Sequence, residues 1–190
     1  MIAYSRKRLL LLIFYTEGFL LLLALLLSRL FGIRLFPLTA DIARDVALGT
    51  IGTLFPLAIF AFSLTEKGEN LPLFGSLRKI IMKDIKALFT NANLFDIVVI
   101  SALAGFAEEL LFRGIVQAEF GIVWSSVIFG ILHCLSPAYF VIATIMGFYL
   151  GFLRDYYQSL LVPIQLHFLY DMGVLVCLKY LVKDNFVKSS

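Results

Sequence analysis

Residues 94–116 read LFDIVVISALAGFAEELLFRGIV, and the reading of this stretch decides the fold. It is long enough for a membrane helix, which needs about 20 mostly apolar residues. Yet it carries Glu108, Glu109 and Arg113 among apolar neighbours. An ionisable side chain inside a membrane helix costs roughly 2–3 kcal/mol or more, and by default it marks a functional site. Three of them this close together need a chemical reason.

The rest of the chain agrees with a membrane reading. Of its 190 residues, 61% are hydrophobic and 15% charged; a soluble domain is about half apolar and a quarter charged. The mean hydropathy is +0.96. In lipid every backbone polar group must be satisfied internally, so a chain of this composition is predicted to be all-α, a polytopic helix bundle. The net charge of +3 is small, and no basic patch is interleaved with aromatics. A nucleic-acid partner is therefore not expected; the lipid bilayer is. Cys134 and Cys177 lie in apolar segments and fit neither a disulfide framework nor a zinc spacing. They read as small buried hydrophobes.

About six spans are predicted, over residues 9–28, 44–64, 94–116, 121–135, 137–153 and 159–182. The fourth and fifth are short, and Pro137 separates them. The first resembles a signal peptide only superficially. Its apolar run from Leu9 to Leu27 is long, carries Glu17, and ends at Ser28-Arg29 instead of a small-residue cleavage site. Thr65 to Asn93 forms the one long polar connection, with Lys67, Arg78, Lys79, Lys83 and Lys86. Around Leu77 to Phe89 it is expected to form an amphipathic helix on the membrane surface. With the N-terminus inside, eleven of the sixteen basic residues fall on the cytoplasmic side. Both termini are therefore expected there, in a multi-pass protein of a prokaryotic plasma membrane. The organisation expected is two N-terminal spans and a basic loop over 1–93, a catalytic four-helix core over 94–182, and a short cytoplasmic tail over 183–190.

Helix geometry separates the polar residues by role. Residues four apart share a helix face, so Glu109 and Arg113 are expected to neutralise one another. Glu108 is rotated by about 100° from Glu109. It shares its face with Ala104, Gly105 and Phe112 and is left free to face a cavity. His167 and Asp171 also share a face, as do Phe129 and His133. The chain has only two histidines, and both fall in predicted spans. Counting about 1.5 Å per residue from the expected turns puts Glu108, His133 and His167 at similar depth. Gly147 and Gly151 form a small-xxx-small pair, read as plain helix contact. Glu17 reads either as a functional group or as the polar partner of another helix.

These residues form three motifs in order. Glu108-Glu109-Leu-Leu-Phe-Arg113 fits EExxxR, Phe129-Gly-Ile-Leu-His133 fits FxxxH, and His167-Phe-Leu-Tyr-Asp171 fits Hxxx followed by Asp or Asn. Over about residues 94–182 the chain resembles the CPBP intramembrane proteases, the CAAX-protease and bacteriocin-processing, or Abi, family. The first two spans show no such likeness. The resemblance implies a glutamic-type endopeptidase acting on a peptide or protein substrate. Glu108 and His133 would activate water, His167 and Asp171 would support the oxyanion, and Glu109, Arg113 and Phe129 would hold the site together. No cofactor is expected.

Two alternatives stand beside this reading. Glu, His and Asp are all zinc ligands, so a zinc-dependent protease is possible, although HExxH is absent. A non-catalytic scaffold or transporter could also keep the fold, although the paired broken helices and internal repeat of transporters are not evident. Asp171 fits the oxyanion role less easily than Asn would, because an ionised carboxylate only accepts hydrogen bonds.

Overall fold

The computed structural model describes residues 4–182. Among these residues it is helical with no strand, so the predicted all-α membrane bundle is what the chain forms. The expected tail over 183–190 lies outside the described residues.

Helix α1 (Arg6–Leu30) starts at Ser5, whose hydroxyl accepts from the Arg8 backbone N–H. It is followed by α2 (Ile42–Gly52) and α3 (Leu54–Ser63), joined through Thr53. The short α4 (Glu66–Glu69) leads into α5 (Pro72–Ile80), which runs through a π-helical turn at Ile81–Ile85 into α6 (Lys86–Phe89). Helix α7 (Leu94–Glu109) opens on a capping box between Asn93 and Asp96. It continues through a π-helical stretch, Leu110–Val116, into α8 (Gln117–Leu132). Helix α9 (Pro137–Tyr157) begins with Pro at its first position and the Ser136 hydroxyl as cap. Helix α10 (Leu161–Val176) ends in a further π-helical turn, Cys177–Leu181.

Four helical segments are long and apolar enough to cross a membrane: Arg6–Leu30, Ile42–Ser63, Pro137–Tyr157 and Leu161–Leu181. About six spans were expected, and the two outside these four are the third and fourth. The helix that starts at Leu94 has the length to span, but Asp96, Glu108, Glu109 and Arg113 interrupt its apolar character. It breaks at Gly121, where φ is 84°, a conformation that favours glycine. What remains of α8 beyond that break is about 11 residues, or roughly 16 Å, half the thickness of the hydrocarbon core.

The helices pack around α7 and α10, which run antiparallel. A Cβ on Gly105 would come within 2.9 Å of the Phe168 backbone nitrogen, so this crossing requires glycine. α8 and α9 form a second tight pair, where a Cβ on Gly147 would meet Ser126 Cα at 2.8 Å. α1 lies along α7, pinned by two 2.7 Å hydrogen bonds from Arg6 to Asp96. Its other side carries Phe14, Tyr15, Phe19, Leu22 and Leu26, all exposed, as suits a lipid-facing surface. α5 and α6 cross one end of the bundle. The sequence led us to expect the apolar face of this segment on the membrane surface. Leu77 and Ile81 are buried, and Leu77, Ile81, Ile85 and Phe89 form one wall of an internal cavity.

Candidate active site

The cavity measures about 300 Å³, at the lower end of the range for small-molecule sites. Its walls are apolar except for a group of ionisable side chains and tyrosines: Glu17, Glu108, His133, Tyr139, His167, Tyr170 and Asp171. Four of the residues singled out in the sequence, Glu108, His133, His167 and Asp171, thus line one space. Phe129 lines it too, whereas Glu109 and Arg113 sit behind the wall at 0% exposure.

The layer behind the wall is a connected network. Arg113 Nη1 donates to Glu109 Oε1 at 3.0 Å, four residues back on the same helix. Arg113 Nη2 donates to the Gly147 carbonyl of α9 at 3.2 Å. His167 Nδ1 lies 2.8 Å from the same Glu109 oxygen. A carboxylate can only accept, so that ring nitrogen carries the hydrogen. Glu109 therefore ties α7 to α10, while Arg113 ties it to α9. The π-helical stretch begins one residue after Glu109 and contains Arg113; such irregular turns inside helices often occur at functional sites. The adjacent helices close round it, with Ser125 Oγ donating to the Phe112 carbonyl at 2.8 Å and Gln117 Nε2 to the Gly151 carbonyl at 2.9 Å.

The front of the wall is looser. Glu108 Oε2 faces His133 Nε2 at 3.5 Å, too long for a good direct hydrogen bond. The same oxygen is buried with no hydrogen-bond partner among the described residues. His133 Nδ1 lies 2.8 Å from the Phe129 carbonyl and must donate to it. In the neutral imidazole this leaves Nε2 without a hydrogen and turned toward Glu108. The His133 ring stacks on Phe129 with centroids 4.2 Å apart, and the Arg113 guanidinium lies 4.4 Å from the same ring. The FxxxH spacing thus supplies both a carbonyl and an aromatic face to hold the imidazole. The expectation that His133 lies within a helix needs correction. It is the cap residue of α8, with φ −96° and ψ 11°, where the chain leaves the helix before α9. Its side chain is 29% exposed.

On α10, His167 Nε2 points to Asp171 Oδ2 at 3.4 Å, and Asp171 keeps 30% of its side chain exposed. Glu17 reaches the same cavity from α1, with Oε2 buried and unpartnered among the described residues. Sequence spacing could not have placed it there, because no local pattern links α1 to α10. Among the described residues no three His, Cys, Asp or Glu side chains converge as a metal-ligand set.

By its fold and site, then, the chain is a helical integral membrane protein with a carboxylate–imidazole pair in an internal cavity. Residues 90–173 match the family model described as type II CAAX prenyl endopeptidase, Rce1-like. The resemblance carried by the three motifs is thereby shown, and the matched segment contains Glu108, His133, His167 and Asp171. The chain is also 36% identical over 95 residues to an uncharacterized protein, YpbD, of Bacillus subtilis (strain 168). That alignment covers 48% of this chain and 50% of YpbD, so the chain spans about half the length of this curated relative. No solved structure matches.

Proposed function

We propose that the protein is an intramembrane endopeptidase of the glutamic type, hydrolysing a peptide bond of a protein or peptide substrate with Glu108 and His133 activating water. The observation that carries this is the 3.5 Å gap between Glu108 Oε2 and Nε2 of His133, inside a cavity that also holds His167. Neither group is satisfied by the other at that distance, and both face the cavity, where each can accept a hydrogen bond from a water molecule beside the pair. Glu108 takes a proton from this water as the oxygen attacks the scissile carbonyl. The C–O bond forms and the carbonyl becomes a tetrahedral oxyanion. His167, with Nδ1–H given to Glu109, presents Nε2 to the cavity, and in its doubly protonated form donates to that oxyanion. Asp171, facing Nε2, holds the ring in place. The proton on Glu108 then passes to the departing amine as the C–N bond breaks.

Residues 94–182 act as the catalytic core, and α5–α6 bound the cavity at the Arg6 end of the bundle. With the N-terminus cytoplasmic, in a prokaryotic plasma membrane, substrate reaches the cavity from the cytoplasmic side of the bilayer. Water activation by the Glu–His pair needs no metal.

The test is cleavage of a fluorogenic peptide library by the full chain in liposomes, for wild type, Glu108→Gln and His133→Ala, each with and without chelator. The expected result is activity lost in both variants and kept with chelator. Activity abolished by chelator and restored by zinc would replace this mechanism with a metal-dependent one. A folded wild type that cuts nothing would favour the non-catalytic scaffold. Cutting a farnesylated peptide but not its unmodified counterpart would assign a prenylated substrate.

A further inference from the structure

Glu17 takes no part in the hydrolysis described above, and it lies outside the segment that matches the family. It nonetheless belongs to the same cavity. Ile13 and Glu17, one turn apart on α1, both line it. Glu108, His167 and Asp171 line the same space as Glu17. Its Oε2 is buried and finds no partner among the described residues. A desolvated carboxylate oxygen without a partner is costly.

Among the described residues the cavity is lined by the carboxyl groups of Glu17, Glu108 and Asp171 and by the imidazoles of His133 and His167, with no Lys or Arg. The guanidinium behind the wall, Arg113, is 0% exposed and is held by Glu109 and the Gly147 carbonyl. Two of the carboxyl groups have work in the proposed reaction, and Glu17 has none. The remaining wall, including Leu77, Ile81, Phe89 and Ile142, is apolar. Such a space accepts an aliphatic stem that ends in a positive charge. A negative group brought into it would be repelled by acidic neighbours in a medium of low dielectric.

We infer that Glu17 is a specificity-determining residue: it receives the cationic end of a Lys or Arg side chain that flanks the scissile bond. The inference rests on the proteolytic reading above and adds a substrate class to it. The preferred substrate is an apolar peptide segment with one basic residue beside the cleaved bond. An acidic residue or a free C-terminal carboxylate at that place is disfavoured.

The test uses the full chain in liposomes and peptides that differ at one flanking position, with Lys, norleucine or Glu. Wild type is expected to show kcat/KM for the Lys peptide roughly tenfold to a hundredfold above norleucine, mainly through KM, from one ion pair in low dielectric. Glu17→Gln keeps the side-chain shape and should reduce that ratio to within about threefold. Glu17→Lys should turn the preference toward the Glu peptide. An undiminished Lys preference in Glu17→Gln, or none in wild type, would overturn the inference while leaving the protease reading intact. Binding of the labelled peptides to His133→Ala protein, followed by fluorescence anisotropy, separates the two. If wild type cuts nothing, tighter binding of the Lys peptide that Glu17→Gln abolishes supports the cation site alone. Equal binding of all three peptides overturns it.

Discussion

The two adjacent glutamates of α7 sit in opposite surroundings. Glu109 is fully buried, and one of its oxygens receives both Arg113 and His167, at 3.0 and 2.8 Å. Glu108 lines the cavity, and its Oε2 faces His133 across 3.5 Å without a hydrogen bond. Neighbouring residues on one helix point about 100° apart, so one turns back into the bundle and the other turns forward. Glu109 Oε1, which receives two donors, is a structural joint even though Glu109 Oε2 has no partner among the described residues, whereas Glu108 Oε2 faces the cavity and His133. The difference teaches that this site is built in two layers. The rear layer fixes three helices, and the front layer turns its polar groups into the cavity.

The sharpest way to break this comparison is to neutralise each glutamate in turn. Glu108→Gln should cut kcat by about 10³- to 10⁴-fold, or ~4–5.5 kcal/mol of barrier, the upper range for loss of a general base. The thermal midpoint in detergent should hardly move, because no hydrogen bond to Glu108 Oε2 is lost. A large fall in the midpoint would place Glu108 in the structural layer after all. Arg113→Met should do the reverse. It leaves Glu109 buried with its charge uncompensated, at a cost of about 3–5 kcal/mol in stability. The double variant Glu109→Gln with Arg113→Met should recover much of that loss in a denaturation series, because no charge is then stranded. A double variant no more stable than Arg113→Met alone would remove the ion pair from the account.

Parts of this architecture were legible before any coordinates, and the boundary is instructive. Glu109 with Arg113 followed from four-residue spacing on one helix, since that contact is local. The two-layer split followed from the same periodicity. His167 bonding to Glu109 did not, because 58 residues separate them and the contact depends on how α7 crosses α10. The burial of Leu77 and Ile81 against the cavity was likewise hidden, because an amphipathic pattern does not say whether its apolar face meets lipid or protein. The π-helical stretch at Leu110–Val116 leaves no mark in hydropathy. Gly121 parts the long helix where the third and fourth expected spans meet, and the short remainder of α8 reaches only as far as His133.

Phe129 tests whether the two layers are independent. It belongs to both, since its ring lies 4.4 Å from the Arg113 guanidinium and stacks at 4.2 Å on His133. Phe129→Leu keeps an apolar side chain in the buried site but removes the aromatic face. The stability loss should be modest, about 1–2 kcal/mol, from the cation–π contact and the aromatic packing together. The carbonyl that holds His133 Nδ1 is backbone and survives the substitution. His133 therefore keeps its tautomer but loses the surface that fixes its ring plane. A fall in kcat of about tenfold, with KM nearly unchanged, is the expected signature of a positioning loss. If kcat falls as far as in Glu108→Gln, the ring of Phe129 is part of the reactive layer, and the boundary between the layers moves forward by one side chain. If only stability changes, the backbone bond from His133 to Phe129 suffices to aim the imidazole, and the ring serves the rear layer alone.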